Sequence, residues 1–315
     1  MSDYKVFQYV PMSKPKALSK LIPKILTNKI YTIIDLEDSV QDTLNKERTG
    51  ILKKEARTSL KALIKIFSEQ NISFKDKIYI RINSKNTEYF LKDLKIISEL
   101  LVFTENINIF YPMTESIEEL IYLNNYFKNI FSNIKIIPII ETVKGMQNIK
   151  SILNSDYEHN IEYIHYGHYD YSLDSSQWPF KSQDSISFWK FASNLIKQIE
   201  LNNFKYMHTP FGDLNNLNLF QSIIKEVSKN CKLDYAITTL NYNQSINALN
   251  FKKNKIQDIF LSENKLDPFD YAKQIVNIFE SNQCSKRSFS VDIKKAKFIT
   301  PHEYTMAKEY LRIKK

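Results

Sequence analysis

The stretch IYTIIDLEDSV, residues Ile30–Val40, joins a short apolar, β-branched run to an acidic one. Its acidic part holds Asp35, Glu37 and Asp38. Short runs rich in Ile, Tyr and Thr are typical of buried strands. Acidic side chains at the carboxyl end of such a strand lie where α/β folds form their binding sites. The stretch therefore predicts a buried strand that delivers carboxylates to a site.

Two later segments repeat this pattern. IKIIPIIE ends on Glu141, and EYIHYGHYD ends on Asp170. Because the strands of a parallel sheet end at the same edge, carboxylates that follow several strands converge. Converging carboxylates predict a bound cation.

Strand-like and helix-like segments alternate along most of the chain. Apolar residues at three- and four-residue spacing predict helices between the strands, for example over Glu115–Phe131 and Ser185–Leu201. Eight such units in about 280 residues predict parallel strands with crossover helices, closed into an α/β (β/α)8 TIM barrel. The eight predicted strands are Lys5–Val10, Ile30–Leu36, Lys77–Ile82, Ile107–Tyr111, Ile134–Ile140, Ile161–Tyr166, Phe204–His208 and Asp234–Thr239.

The predicted organisation is a catalytic barrel, residues 1–285, followed by a C-terminal strand-plus-helix extension, residues 286–315. The helix of the extension opens with Thr300, Pro301 and Glu303, which are an N-cap, a first-turn proline and a capping-box glutamate. This helix packs either on its own barrel or over a neighbouring subunit, and the sequence leaves both arrangements open.

Composition is that of an ordinary globular protein, with 43% hydrophobic and 25% charged residues. No apolar run reaches the roughly 18 to 20 residues of a membrane-spanning helix, and the start lacks the layout of a signal peptide. We therefore expect a cytoplasmic protein with no membrane partner. Cys231 and Cys284 are too far apart in sequence to suggest a zinc site or a disulfide framework.

The net charge of +9 raises the question of nucleic-acid binding. Readers of base edges and phosphates favour the arginine fork, whereas this chain has few arginines and its positive charge is nearly all lysine, spread along the sequence. We therefore expect no nucleic-acid partner. The arginines are Arg48, Arg57, Arg81, Arg287 and Arg312.

Glu141 and Asp170 are the strongest candidates for metal ligands. Mg²⁺ prefers oxygen ligands and takes one or two protein carboxylates, which leaves positions for water and substrate. Two of the four glycines flank the pair, Gly145 after the first acid and Gly167 before the second, as expected where backbone approaches a ligand closely. The alternative is that each acid is a helix cap or a surface group.

The acidic cluster of the opening stretch has a different expected role. In an extended strand, Asp35 and Glu37 point to one face and Asp38 to the other, so the three cannot all be metal ligands. We expect one or two of them to hold metal-bound water and another to cap the following helix.

Arg81 ends the predicted strand KIYIRIN and is followed by Asn83. A guanidinium opposite the carboxylates is suited to bidentate capture of a substrate carboxylate and to stabilising an enolate. The alternative is a structural ion pair with Asp35 or Glu37. His165 and His168 match no zinc spacing, so we expect them to be hydrogen-bonded histidines of the core.

Five motifs follow one another along the chain: DLEDSV (35–40), RIN (81–83), PMTES (112–116), ETVKG (141–145) and YGHYD (166–170). In order and spacing they resemble those of the HpcH/HpaI aldolase and citrate lyase β-subunit family, over about residues 5–285. The resemblance implies a (β/α)8 barrel, a Mg²⁺ held by Glu141 and Asp170, and reversible cleavage of a carbon–carbon bond beside a hydroxyl. It also implies that Arg81 binds an oxo acid, that the acids of DLED order the metal's waters, and that subunits associate, often as trimers.

Two departures from the family concern the thioester. Members commonly carry a lysine where this chain has Met113. Relatives that cleave acyl-CoA tend to have Gly-Lys and then Ile-His-Pro near the eighth strand, where this chain has AITTLNYNQ, Ala236–Gln244, and keeps only the final Gln. The residues of the expected metal site are retained, whereas the motif that contacts CoA is not. CoA is therefore one of several candidate carriers of the thioester.

The sequence favours a Mg²⁺-dependent carbon–carbon lyase or aldolase, with Mn²⁺ as the alternative metal. Its expected substrate is a 3-hydroxy acid or the thioester of one, handled through a 2-oxo acid enolate, and we expect a homo-oligomer. Two alternatives stay open: a thioesterase acting on a malyl-type thioester, and a non-catalytic barrel that binds a ligand or a polyanion. The predicted catalytic residues are Arg81, Glu37 and Asp38, and the predicted substrate contacts are Asp35, Asn83 and Gly167.

Overall fold

Eight parallel strands form a closed barrel in chain order, which confirms the predicted (β/α)8 fold. The computed structural model describes residues 4–12, 15–42, 45–70, 77–102, 106–153, 161–252, 256, 267–281, 291–292 and 298–314. Cys284 and the predicted domain boundary at residue 285 lie outside these ranges. The strands are β1 (Tyr4–Pro11), β2 (Tyr31–Asp35), β3 (Ile78–Arg81), β4 (Asn106–Tyr111), β5 (Asn133–Ile140), β6 (Tyr163–Tyr166), β7 (Lys205–His208) and β8 (Tyr235–Thr239).

Amphipathic helices cover the outside of the barrel. In the eighth helix, for example, Ser185 accepts a hydrogen bond from the Phe188 N–H as N-cap, and Ala192, Leu195 and Ile199 form the buried stripe. The helices are α1 (Pro15–Thr27), α2 (Lys46–Glu69), α3 (Phe90–Ser98), α4 (Ile117–Phe127), α5 (Val143–Gln147), α6 (Ile149–Leu153), α7 (His168–Asp174), α8 (Ile186–Leu201), α9 (Leu217–Asn230), α10 (Tyr242–Leu249), α11 (Pro268–Ser281) and α12 (Pro301–Ile313). None of the helices described is both long and apolar enough to cross a membrane.

Aromatic side chains fill the amino-terminal half of the barrel. Phe7 stacks on Tyr31 with ring centroids 4.7 Å apart and meets Tyr163 edge to face. Below them, the ammonium of Lys5 is 2.9 Å from the carboxylate of Glu162. Because this end is packed, the space for a ligand lies at the carboxyl ends of the strands.

The C-terminal helix packs on its own barrel. Thr300 and Glu303 form the predicted capping box at the start of α12. The ring of Tyr304 stacks on Phe279 of α11 with centroids 4.1 Å apart, and α12 also contacts α7. A short antiparallel pair, β9 (Val291–Asp292) and β10 (Phe298–Ile299), precedes the helix.

Candidate active site

A cavity of about 180 Å³ opens at the carboxyl ends of the strands. Strand register explains why polar side chains from distant parts of the sequence meet there. Asp35 of β2 pairs with Arg81 of β3, so their side chains leave the sheet at the same level and on the same side. The predicted site residues that line this cavity are Asp35, Asp38, Arg81, Glu141, Gly167 and Asp170.

Glu141 follows β5 directly and is almost fully buried, with 3% of its surface exposed. Its Oε1 accepts a hydrogen bond of 2.8 Å from the backbone N–H of Met113. The carboxylate rests against Gly167, where a Cβ would come within 2.2 Å of Oε2. Gly167 is therefore the residue that makes room for this carboxylate.

We expect Gly167→Ala to displace the Glu141 carboxylate and to weaken divalent-metal binding at least tenfold. The cause is steric alone, because Gly167 has a φ of −93° that any residue can adopt. Thermal unfolding and divalent-metal titration of the purified variant measure the effect. Gly50→Ala is the matched control, since the nearest atom to its new methyl, the Tyr89 hydroxyl, lies 3.7 Å away. Similar losses in both variants would contradict the steric explanation.

Arg81 is the centre of a buried ion-pair cluster. Its Nε and Nη2 donate to the two oxygens of Asp35 at 2.8 and 2.6 Å. Its Nη1 lies 2.8 Å from Asp38 Oδ2 and 3.0 Å from Glu37 Oε2. The expectation that Asp38 points away from Asp35 and Glu37 is wrong, because β2 ends at Asp35 and the chain turns into a 3-10 helix, Asp38–Val40. Glu37, not Asp38, caps that helix, by accepting from the Asp38 N–H.

This pairing limits what Arg81 can offer a substrate. Both arms of the guanidinium fork are used by Asp35, and Nη1 is shared by two further carboxylates. The structure thus contains the ion pair with Asp35 and Glu37 that the sequence offered as the alternative, and contact of Arg81 with a substrate stays a prediction. The guanidinium also lies over the ring of Tyr9, 4.8 Å from its centroid, which leaves it as a fixed positive charge in the cavity wall.

The structure does not bring Asn83 to the cavity. The Asn83 amide donates to Asp93 Oδ2 at 2.6 Å and to the Leu36 carbonyl at 3.0 Å. Asp93 in turn pairs with Arg57 at 3.1 Å. This buried network connects the end of β3 to α2, to α3 and to Leu36, the residue after β2. Asn83 therefore helps to hold the acidic segment that follows β2 in position.

Asp170 meets a residue that sequence reasoning missed. It lies in the first turn of α7, and its Oδ1 is 3.1 Å from Nε2 of His302, the second residue of α12. Asp38, Asp170 and His302 each place one oxygen or nitrogen so that the three atoms lie within 4.8 Å of one another. The only indication of this contact in the sequence was the position of His302, two residues after the predicted helix cap Thr300.

The cluster contains more acids than bases. Burial raises the pKa of Glu141 well above its usual value, and the negative charges of Asp170, Glu37 and Asp38 raise it further. Burial opposes ionisation of His302, but the charge and hydrogen bond of Asp170, together with the charges of Asp38 and Glu37, outweigh it and raise the pKa of His302 to about 9. Fully ionised, the group has an excess of two negative charges, which a divalent cation would neutralise. Its described acidic members are Asp35, Glu37, Asp38, Glu141 and Asp170, and its described basic members are Lys53, Arg81 and His302.

The two histidines of β6 and α7 are buried and hydrogen-bonded, as expected. His165 Nε2 is 3.1 Å from the Tyr9 hydroxyl, and His168 Nε2 is 2.7 Å from the Lys181 carbonyl. Burial lowers the pKa of His165 to about 3 and that of His168 to about 4, so both are neutral near pH 7. Because both side chains also line the cavity, they form part of its wall without adding charge.

The chain belongs to the HpcH/HpaI aldolase/citrate lyase family, which matches residues 6–220. None of the curated proteins compared with the chain matches it. Membership confirms the resemblance inferred from the five motifs.

Solved structures share the fold at low sequence identity. RipC from Yersinia pestis is 21% identical, with a TM-score of 0.54 over 78% of this chain and 94% of its own. The citrate lyase β subunit from M. tuberculosis, complexed with oxaloacetate and magnesium, is 14% identical, with a TM-score of 0.56 over 78% of this chain and 95% of its own. Haloferax volcanii malate synthase, in a pyruvate/acetyl-CoA ternary complex, is 11% identical, with a TM-score of 0.70 over 99% of this chain and 91% of its own.

Proposed function

We propose that this protein is a divalent-metal-dependent carbon–carbon lyase or aldolase that handles a 2-oxo acid as its enolate. The observation that supports this most directly is the buried, acid-rich cluster around Glu141 and Asp170 at the barrel mouth. Family membership supports the reaction class. The named ligands of the related structures, oxaloacetate with magnesium and pyruvate, belong to the same chemical class.

The residues present fit a magnesium ion. Oxygen donors at strand ends are the ligands that Mg²⁺ takes, and Gly167 keeps open the space in which the Glu141 carboxylate lies. Glu141 and Asp170 would hold the ion, with Mn²⁺ as the alternative. When bound there, the metal supplies positive charge that stabilises an enolate oxygen.

The protein's own groups have positioning roles in this proposal. Arg81 fixes the orientation of Asp35, Glu37 and Asp38, of which Asp35 and Asp38 line the cavity. Glu37 and Asp38 would orient water at the metal. Tyr9, His165 and His168 form a neutral part of the cavity wall, so they place no charge beside the substrate carboxylate.

The stretch that replaces the CoA-contact motif has an internal structural role. The Gln244 side chain accepts from the Leu240 N–H and donates to the Phe211 carbonyl, both at 2.9 Å. Asn241 caps α10. Gln244, the one residue of the family motif that is retained, therefore forms hydrogen bonds within the protein. For this reason our proposal does not require CoA: the acyl partner is a 3-hydroxy acid or a thioester, on CoA or on another carrier.

Proton exchange at the carbon next to the oxo group tests this function. With MgCl₂ in deuterated water, we expect the protein to exchange the C3 protons of pyruvate or of a related 2-oxo acid, as followed by proton NMR. Asp170→Asn should abolish the exchange because it removes a proposed ligand. No exchange with any member of a broad panel of oxo acids would sink the proposal. A hydroxy acid released from a thioester with its carbon skeleton intact would favour the thioesterase alternative.

A further inference from the structure

The C-terminal helix contributes an imidazole to the carboxylate cluster. His302 is 6% exposed, and its Nε2 lies 3.1 Å from Asp170 Oδ1. Its ring also stacks near Tyr169, with centroids 6.2 Å apart and an angle of 30° between the planes. The nitrogen is therefore held in one place in the cluster.

The start of α12 is held by several independent contacts. Its N-terminus carries the capping box of Thr300 and Glu303. Glu303 also accepts a hydrogen bond of 3.2 Å from the Tyr271 hydroxyl of α11, and Tyr304 stacks on Phe279. A donor on a packed and capped helix loses little entropy when it binds a ligand, so the position of His302 is preorganised.

The donor spacing suits two ligands of one ion. Ligands bound at about 2.1 Å and at a right angle to each other are about 3 Å apart, and Nε2 of His302 and Oδ1 of Asp170 are 3.1 Å apart. An ordinary ion pair requires one carboxylate only, whereas here a carboxylate oxygen of Asp38 lies within 4.8 Å as well. The three donors come from the β2–α2 connection, α7 and α12.

We propose that His302 is a ligand of the divalent cation, together with Asp170, and that the site therefore favours transition-metal ions, Co²⁺ and to a smaller extent Mn²⁺, over Mg²⁺. An imidazole ligand raises affinity for these ions more than for Mg²⁺, which prefers oxygen. This inference rests on the proposed function, since it concerns the metal of that same site. It also makes the C-terminal extension part of the active site.

Metal titration of the full-length protein tests the assignment. CoCl₂ and MgCl₂ are titrated separately into the metal-free wild type, His302→Ala and His302→Gln, and binding is followed by calorimetry. We expect both variants to weaken Co²⁺ binding at least tenfold and Mg²⁺ binding less than threefold. The Gln variant keeps a hydrogen-bonding group beside Asp170 without a ring nitrogen, so it separates ligation from packing.

A spectroscopic readout and a matched control complete the test. In Mn²⁺-loaded wild type, pulsed EPR should detect the nitrogen of a bound imidazole, and His302→Ala should lose this signal. Thr305→Ala, at an exposed position of the same helix, should keep the signal and both affinities. If His302→Ala leaves Co²⁺ affinity unchanged or raises it, His302 is not a ligand. If Asp170→Asn abolishes metal binding while His302→Ala leaves Co²⁺ affinity unchanged, only this inference fails. If the wild type binds neither ion, the proposed function fails as well.

Discussion

Arg81→Met is expected to lower the free energy of unfolding by about 3–5 kcal/mol. The substitution removes the guanidinium that forms ion pairs with Asp35, Glu37 and Asp38. Methionine keeps apolar bulk against Tyr9, so the loss reports the uncompensated carboxylates and not a cavity. Urea unfolding followed by circular dichroism gives the difference.

An exposed arginine provides the control. Arg48 pairs with Asp42 at 3.6 Å, and 46% of its side chain is exposed. Because solvent screens such a pair, Arg48→Met should change stability by less than about 1 kcal/mol. Arg81→Lys keeps the charge but not the fork and should fall between the two. Equal losses at positions 48 and 81 would show that the buried cluster has no special role in stability.

Glu141→Gln is expected to reduce metal-dependent exchange of 2-oxo acid protons by about 10³-fold. The variant loses the charge with which Glu141 would hold the cation, while its side-chain oxygen can still accept from the Met113 N–H. The metal-free variant should be at least as stable as the wild type, because burial and the charge of Asp170 already disfavour the ionised form of Glu141 and raise its pKa, and glutamine is neutral. Opposite changes in activity and stability are characteristic of a functional carboxylate.

NMR exchange rates and thermal unfolding of the same preparation measure both quantities. Glu118→Gln, at an exposed position on α4, is the matched control and should change neither. Full exchange activity in Glu141→Gln would remove this residue from the proposed metal site. A large loss of stability would instead indicate that Glu141 has a structural role.

The structure gives several predicted site residues partners that the sequence did not specify. Arg81 was expected to hold a substrate, and the structure pairs it with three carboxylates. Asn83 was expected at the cavity, and its amide is bound to Asp93. Both outcomes depend on side-chain pairing between neighbouring strands and helices, which residue spacing along one strand does not specify. Association into oligomers and a cytoplasmic location stay predictions.

The sequence by itself determined the eight-fold alternation, the family and the strand ends at which Glu141 and Asp170 would lie. These features follow from local sequence patterns, because buried strands and amphipathic helices each impose a hydrophobic repeat of a few residues. Only the tertiary structure decided that the chain turns after Asp35, so that all three acids face Arg81, and that His302 reaches Asp170. That last contact joins residues 132 positions apart. It depends on how α12 packs against α11 and α7, and no local pattern encodes that packing.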